Sequence, residues 1–265
     1  NGNGVLFGAN GGTLRNCTVE LCQGGIGSKG CGVYLNGGAL VTGCTIRNCQ
    51  ANANGTEYGI GAYLAKGTLE RCLVTGCTRT GFKDSQPADG AVYVNRGTVR
   101  RCTIAGNSVS RATLHVADLP SSIVRDTVVW GNTTTRDDSA GRPNLGDIGV
   151  NPDISGLCTT VAAGRNPVAK NPSFVNSAEG DYRLSCASPC RGAGTDGCDL
   201  GCFDYEPVGA PAIAVSASSG VGELQATVSL LADDPSALQG ATVAWALNGK
   251  TIDATGAGFG WTFGP

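Results

Sequence analysis

The chain has no methionine, one histidine and little charge: charged residues make up 15% of its 265 positions. A single His115 argues against zinc, whose sites bring cysteine and histidine ligands together at short spacings. A formal charge of -2 leaves no basic footprint, which excludes nucleic acid as a partner. No apolar run approaches the roughly 18 residues of a membrane-spanning helix, so no such segment is expected. Nor does any stretch sustain a 3.6-residue apolar period, which rules out a helix bundle or coiled coil. A targeting leader is missing too. The chain opens in mid-repeat at Asn1-Gly-Asn-Gly4, and the leader is read as removed or as lying outside this stretch of sequence.

What is abundant is glycine (42) and cysteine (13), with Thr, Val and Asn around them. That mixture suits short strands joined by tight turns. Thirteen cysteines point to an oxidising, extracellular or cell-surface location, and their odd number leaves at least one without a partner in the chain.

The cysteines recur inside one phrase: Arg15-Asn-Cys-Thr-Val19, Thr42-Gly-Cys-Thr-Ile46, Glu70-Arg-Cys-Leu-Val74 and Arg100-Arg-Cys-Thr-Ile104. Cys17, Cys44, Cys72 and Cys102 are 27, 28 and 30 residues apart, a period of solenoid size. Five residues further on, Cys22, Cys49, Cys77 and Asn107 form a second column. Upstream stand Val33-Tyr-Leu35, Ala62-Tyr-Leu64 and Val92-Tyr-Val94, with Leu6-Phe-Gly8 as a weaker first copy. Their alternation is that of half-buried strands. A fifth coil follows at Ser121–Asn132, with Thr127 in the cysteine position and Asn132 below Asn107. Such units cannot bury a core singly. Stacked at ~4.8 Å they make an all-β, right-handed parallel β-helix.

The repeat, Val128-Val-Trp-Gly-Asn132 and the later Asn171-Pro-Ser-Phe-Val175, Gly180-Asp-Tyr-Arg-Leu184, Ser188-Pro-Cys-Arg-Gly-Ala-Gly194 and Asp199–Glu206 phrases resemble bacterial surface β-helix proteins with polymorphic-outer-membrane-like repeats. The resemblance covers residues 1–206 and implies a fold rather than an activity. Residues 1–132 are read as regular coils, and 133–206 as an irregular excursion followed by closing coils. Residues 207–211 read as a linker. The alternating strands of 212–265, with Trp245 as core residue, resemble part of an immunoglobulin-like domain of the PKD type, which needs about 100 residues when complete.

Four constellations are candidates for function. The first comprises the cysteine and asparagine columns, read as structural ladders, partly cross-linked between coils or left as stacked thiols. The second is an aromatic stripe of Phe7, Tyr34, Tyr63, Tyr93 and His115, read as outward-facing: either rings that shield the sheet or a stacking surface for sugar or protein. The third is a disulfide-rich closing coil of Cys158, Cys186, Cys190, Cys198 and Cys202. The fourth is the acids. Glu20, Glu57, Glu70, Asp84, Asp89, Asp118 and Asp126 fall in no common column, and the Asp137-Asp138 doublet lies beside Arg136 in the excursion. Glycoside hydrolysis uses two carboxylates about 5–9.5 Å apart, so no catalytic residues and no cofactor are expected. Calcium at Asp196 and Asp199 is left as a minor alternative, since a full site takes six or more oxygens.

The expectation is a non-catalytic extracellular structural or adhesive rod, associating end to end or with other surface proteins. The alternative is a protein that binds or degrades polysaccharide.

Overall fold

The computed structural model describes residues 3–25, 27–52, 58–80, 90–109, 112–117, 121–134, 154–160, 162, 164–206, 212–220, 223–231, 245–247, 250–252 and 258–263. Glu57, Asp84, Asp89, Asp118, the Asp137-Asp138 doublet and the 207–211 linker therefore lie outside the described residues.

Five parallel rungs stack along the first part of the chain. One sheet holds Val5–Leu6, Val33–Leu35, Ala62–Leu64, Val92–Val94 and Leu114–Val116. A second sheet has two arms that converge on the nine-residue strand Ser122–Trp130, which pairs with Gly97–Arg100 through its first half and with Thr103–Ala105 through its second. A third sheet carries Gln23–Gly24, Gln50–Asn52, Thr78–Thr80, Ser108–Val109 and Thr133–Thr134. Period-two alternation turns every second side chain inward. Val41, Leu69, Val99 and Val124 stack in one buried column, and Ile46, Val74, Ile104 and Val129 in another. Each buried side chain contributes roughly 1.5–3 kcal/mol, so the core is a series of small increments, rung by rung.

The cysteine phrase is where the chain turns. Residues just before the first column adopt the left-handed conformation: Asn16, Gly43, Arg71, Arg101 and Asp126, with φ between 49 and 63°. The same holds before the second column, at Leu21, Asn48, Gly76, Gly106 and Gly131. One left-handed residue bends the strand, as at Asp126 within Ser122–Trp130, and leaves the next side chain pointing into the corner. The cysteine columns are thus corner columns.

Beyond the rungs, Ile154–Cys158 adds to Ser122–Trp130 in parallel, inside the expected irregular excursion. Bridges Ser155–Arg165 and Cys158–Val168 extend the stack once more. An antiparallel pair, Phe174–Asn176 with Asp181–Leu184, lays Tyr182 against Leu73, Ala105 and Cys202.

The chain divides into two units, with the rungs and closing segment running to Asp204. In the second, Ala212–Gly220, Glu223–Leu231 and Gly258–Phe263 form a three-stranded antiparallel sheet, and Trp245–Leu247 pairs with Lys250–Ile252. The side-chain surroundings of Trp245 lie outside what the structure describes.

Candidate functional site

The outward stripe comes from the first sheet. Val33, Leu35, Ala62, Leu64, Val92, Val94 and Leu114 are fully buried, so the residue between each flanking pair projects outward. Tyr34 and Tyr63 stack with centroids 5.3 Å apart, Tyr63 and Tyr93 at 5.2 Å, and Tyr93 and His115 at 4.7 Å, all within 14° of parallel. Tyr58 meets Tyr93 edge-on at 4.9 Å, and Lys29 Nζ lies 5.5 Å from the centre of the Tyr63 ring. Tyr63 is left only 6% exposed. Burial, then the neighbouring phenols of Tyr93, Tyr34 and Tyr58, push its hydroxyl up to about 12. Burial and Tyr58 push Tyr93 up as well.

Phe7 is not in this stripe. Val5 pairs with Val33 and Leu6 with Tyr34, so Leu6 takes the outward position, 64% exposed, while Phe7 packs against the core. The reason is a longer connection in the first coil. Seven positions separate Leu6 from Thr13, against six between their partners Tyr34 and Leu40. Spacing counted from the cysteines therefore slips by one.

Stacking decides what the stripe can do. Rings packed face to face along the axis have spent both faces on one another and show solvent mainly their edges. A sugar needs a free face, which Tyr63 and Tyr93 lack. Tyr34 differs: its rung neighbour on the outer side is Leu6, and the two line a cleft of about 190 Å³ with Asn3 and Lys29.

In the corners, each column side chain folds back on the strand it follows. Cys17 Sγ donates to the Arg15 carbonyl at 3.1 Å, Cys44 to Thr42 at 3.3 Å, Cys72 to Glu70 at 3.1 Å and Cys102 to Arg100 at 3.3 Å. Thr127 Oγ1 repeats the bond to Arg125 at 2.8 Å and accepts from the Cys102 amide at 3.4 Å. In the second column Asn107 Nδ2 donates to the carbonyls of Val74 and Ala105, and both its amides donate to Asn132 Oδ1 at 2.9 Å. Corner positions ask for a short side chain with a donor, which cysteine, threonine and asparagine all supply.

All thirteen cysteines are free thiols. The expected cross-links between coils are absent, and so is the disulfide-stapled closing coil. Column thiols are engaged with backbone carbonyls and with each other. Cys102 pushes Cys72 up, and Cys72 does the same to Cys44. Cys49 runs the other way, drawn down to about 7 by the Cys77 thiol that donates to it. Cys158 lies outside the cysteine columns, because Val128 is its rung partner and Leu157 stands under Thr127. Its Sγ donates to Lys170 O at 3.3 Å, and the adjacent Cys190 thiol, then burial, pushes it up. Cys190 and Cys202 are buried; Cys186 and Cys198 are half-buried.

Most of the described acids are engaged in pairs and caps. Glu20 meets Arg47 at 2.6 Å, Glu70 meets Arg100 at 3.0 Å, and Asp204 bridges Arg71 and Arg101. Asp199 Oδ1 accepts from the Gly192 amide at 2.7 Å. Among the described residues no three of His, Cys, Asp or Glu gather as a metal site.

One family model, the right handed beta helix region, matches residues 1–171. The chain belongs to this right-handed β-helix family. No curated protein and no solved structure matches it. In this β-helix no helix among the described residues is long and apolar enough to cross a membrane.

The left-handed corner residues were missed from sequence, although a signal was there. Seven of the ten are Asn, Gly or Asp, the residues that tolerate this conformation, and each sits directly before a column position.

Proposed function

We propose that the chain is a non-catalytic structural and adhesive β-helix segment of an extracellular or cell-surface protein, working without a cofactor and associating with other surface proteins or with further copies of itself. The observation that carries this reading is the stacked Tyr34–Tyr63–Tyr93–His115 column, whose repeated chemistry is turned on itself rather than toward a ligand. The pairing of Glu20 with Arg47 and of Glu70 with Arg100 across rungs supports it further, since a hydrolase keeps two carboxylates free to face a bond. The test incubates the full chain with pectins, alginates and neutral polysaccharides and measures new reducing ends and unsaturated uronates. No turnover is expected, and turnover lost on a single point substitution would sink the reading. Sedimentation across a concentration series reports self-association.

A second reading, a carbohydrate-binding segment, has one observation in its favour: the cleft of Leu6, Tyr34, Lys29 and Asn3. Saturable binding of a neutral oligosaccharide that Tyr34→Ala abolishes would select it.

A further inference from the structure

Arginines recur on the outward face of the second sheet, in the ladder Glu70, Arg100, Arg125, Ser155 and Arg165. Their circumstances differ. Arg100 is neutralised by Glu70 in the rung above, and Arg101, one residue along, by Asp204. Arg125 has a buried Nε–H with no hydrogen-bond partner among the described residues. Arg165 is exposed; Ile154 and Gly156 tie down its backbone, and its guanidinium makes no ion pair among the described residues. Both line one cleft of about 580 Å³ together with Ser155, Asn166, Thr195 and Asp196.

We propose that this cleft is a binding site for an oxyanion group, carboxylate or sulfate, carried on an acidic saccharide. The ladder sets the geometry. Arg125 and Arg165 stand one rung above and one rung below Ser155, hence about 9.6 Å apart at the backbone. Two long side chains separated by that distance close on a single anion seated over the serine hydroxyl. Guanidinium offers paired N–H donors in a planar fork that matches a carboxylate or sulfate edge. The buried Nε of Arg125 is a donor whose desolvation is offset only when an acceptor arrives. The far wall is held in place from behind, since Thr195 gives both its amide and its hydroxyl to Asp126 and neither turns into the cleft as a donor. The lining arginines and Asp196 sum to +1, and the Asp126 carboxylate behind the Thr195 wall lowers the potential further, so the cleft suits one oxyanion clamped directly by both guanidiniums and not a polyphosphate. A nucleic acid needs a row of phosphate contacts, which two guanidiniums on a chain of formal charge -2 do not provide. The site is separate from the tyrosine stripe and goes beyond the structural reading above.

The experiment is calorimetric titration of the full chain with oligogalacturonate, a sulfated oligosaccharide, a neutral oligosaccharide of equal length and a DNA oligonucleotide. Saturable binding is expected for one or both acidic saccharides and not for the neutral one, with inorganic sulfate competing. Arg165→Gln, an exposed change that leaves circular dichroism and melting temperature unaltered, weakens it about tenfold or more. Arg125→Gln does the same, and Asp196→Asn tightens binding about threefold by removing the opposing charge. The proposal is overturned if neither acidic saccharide binds, if the neutral one binds as well, if Arg165→Gln changes nothing, or if DNA binds as tightly.

Discussion

Asp126 and Thr195, 69 residues apart, are joined twice: one carboxylate oxygen accepts the Thr195 amide at 2.8 Å and its hydroxyl at 3.0 Å. Asp126 is also a left-handed corner of the fifth rung, and its own carbonyl accepts from the Gly201 amide. The closing segment is therefore anchored at a corner, on a buried acid that serves structure rather than chemistry.

Asp126→Ala is expected to destabilise the protein by about 1–3 kcal/mol, as two donors lose a charged acceptor. Hydrogen exchange should show where: the Thr195 amide loses protection while amides in the Leu69 and Ile104 strands keep theirs. Uniform loss across all rungs would contradict an anchoring role.

Thr127 tests the corner rule. Thr127→Cys, which restores the column residue of the four rungs above, should change stability by less than about 1 kcal/mol. Thr127→Val keeps the shape but leaves the Cys102 amide without its acceptor and takes one of two donors from the Arg125 carbonyl, which keeps the Arg101 amide, at a cost of about 1–3 kcal/mol. Urea midpoints of the two variants would be compared; equal values would count against the rule.

Leu21 is 69% exposed and held at φ 57°, a conformation that costs a branched aliphatic residue roughly 1–2 kcal/mol. Leu21→Asn should raise stability by about 0.5–1 kcal/mol, visible as a higher melting temperature.

The tyrosine column predicts a pH limit. Tyr63 is raised to about 12 from an ordinary value of 10, so its folded pKa exceeds its unfolded one. Its contribution to stability is complete below pH 10 and disappears as pH climbs through 12. Ultraviolet titration of tyrosinate should show a late step that Tyr63→Phe removes, with unfolding in the same window.

Free thiols make a chemical forecast. Denatured without reductant, the chain should take up thirteen alkyl groups; in the native state Cys17, the exposed cysteine, should react first. A mass lower by pairs of unreacted cysteines would restore the disulfide reading.

Much of the fold was legible because a solenoid writes its geometry as spacing. The tyrosine and cysteine columns can be aligned by eye, and so can the change from Cys102 to Thr127. Phe7 shows where counting fails: one extra residue in a connection shifts every position before it, and local alternation reads equally well one step out. The closing segment was illegible for a different reason. Its cysteines suggested disulfides, whereas its attachment runs through Asp126–Thr195 and Asp204 with Arg71 and Arg101, and contacts between such distant positions leave no periodic trace. The cleft at Arg125 was hidden likewise, since Ser155 and Arg165 join that ladder from inside a stretch with no visible repeat.

The left-handed corners carry an evolutionary consequence. Each turn of the chain is set by its own two corner residues, so coil length is free to vary elsewhere: successive column residues from Cys17 to Thr127 are separated by 27, 28, 30 and 25 positions while the pairing stays in register. A gene segment encoding one whole coil, copied or deleted in frame, would meet matching neighbours on both sides. Such a molecule can change its reach by unequal recombination without having to reinvent its interior.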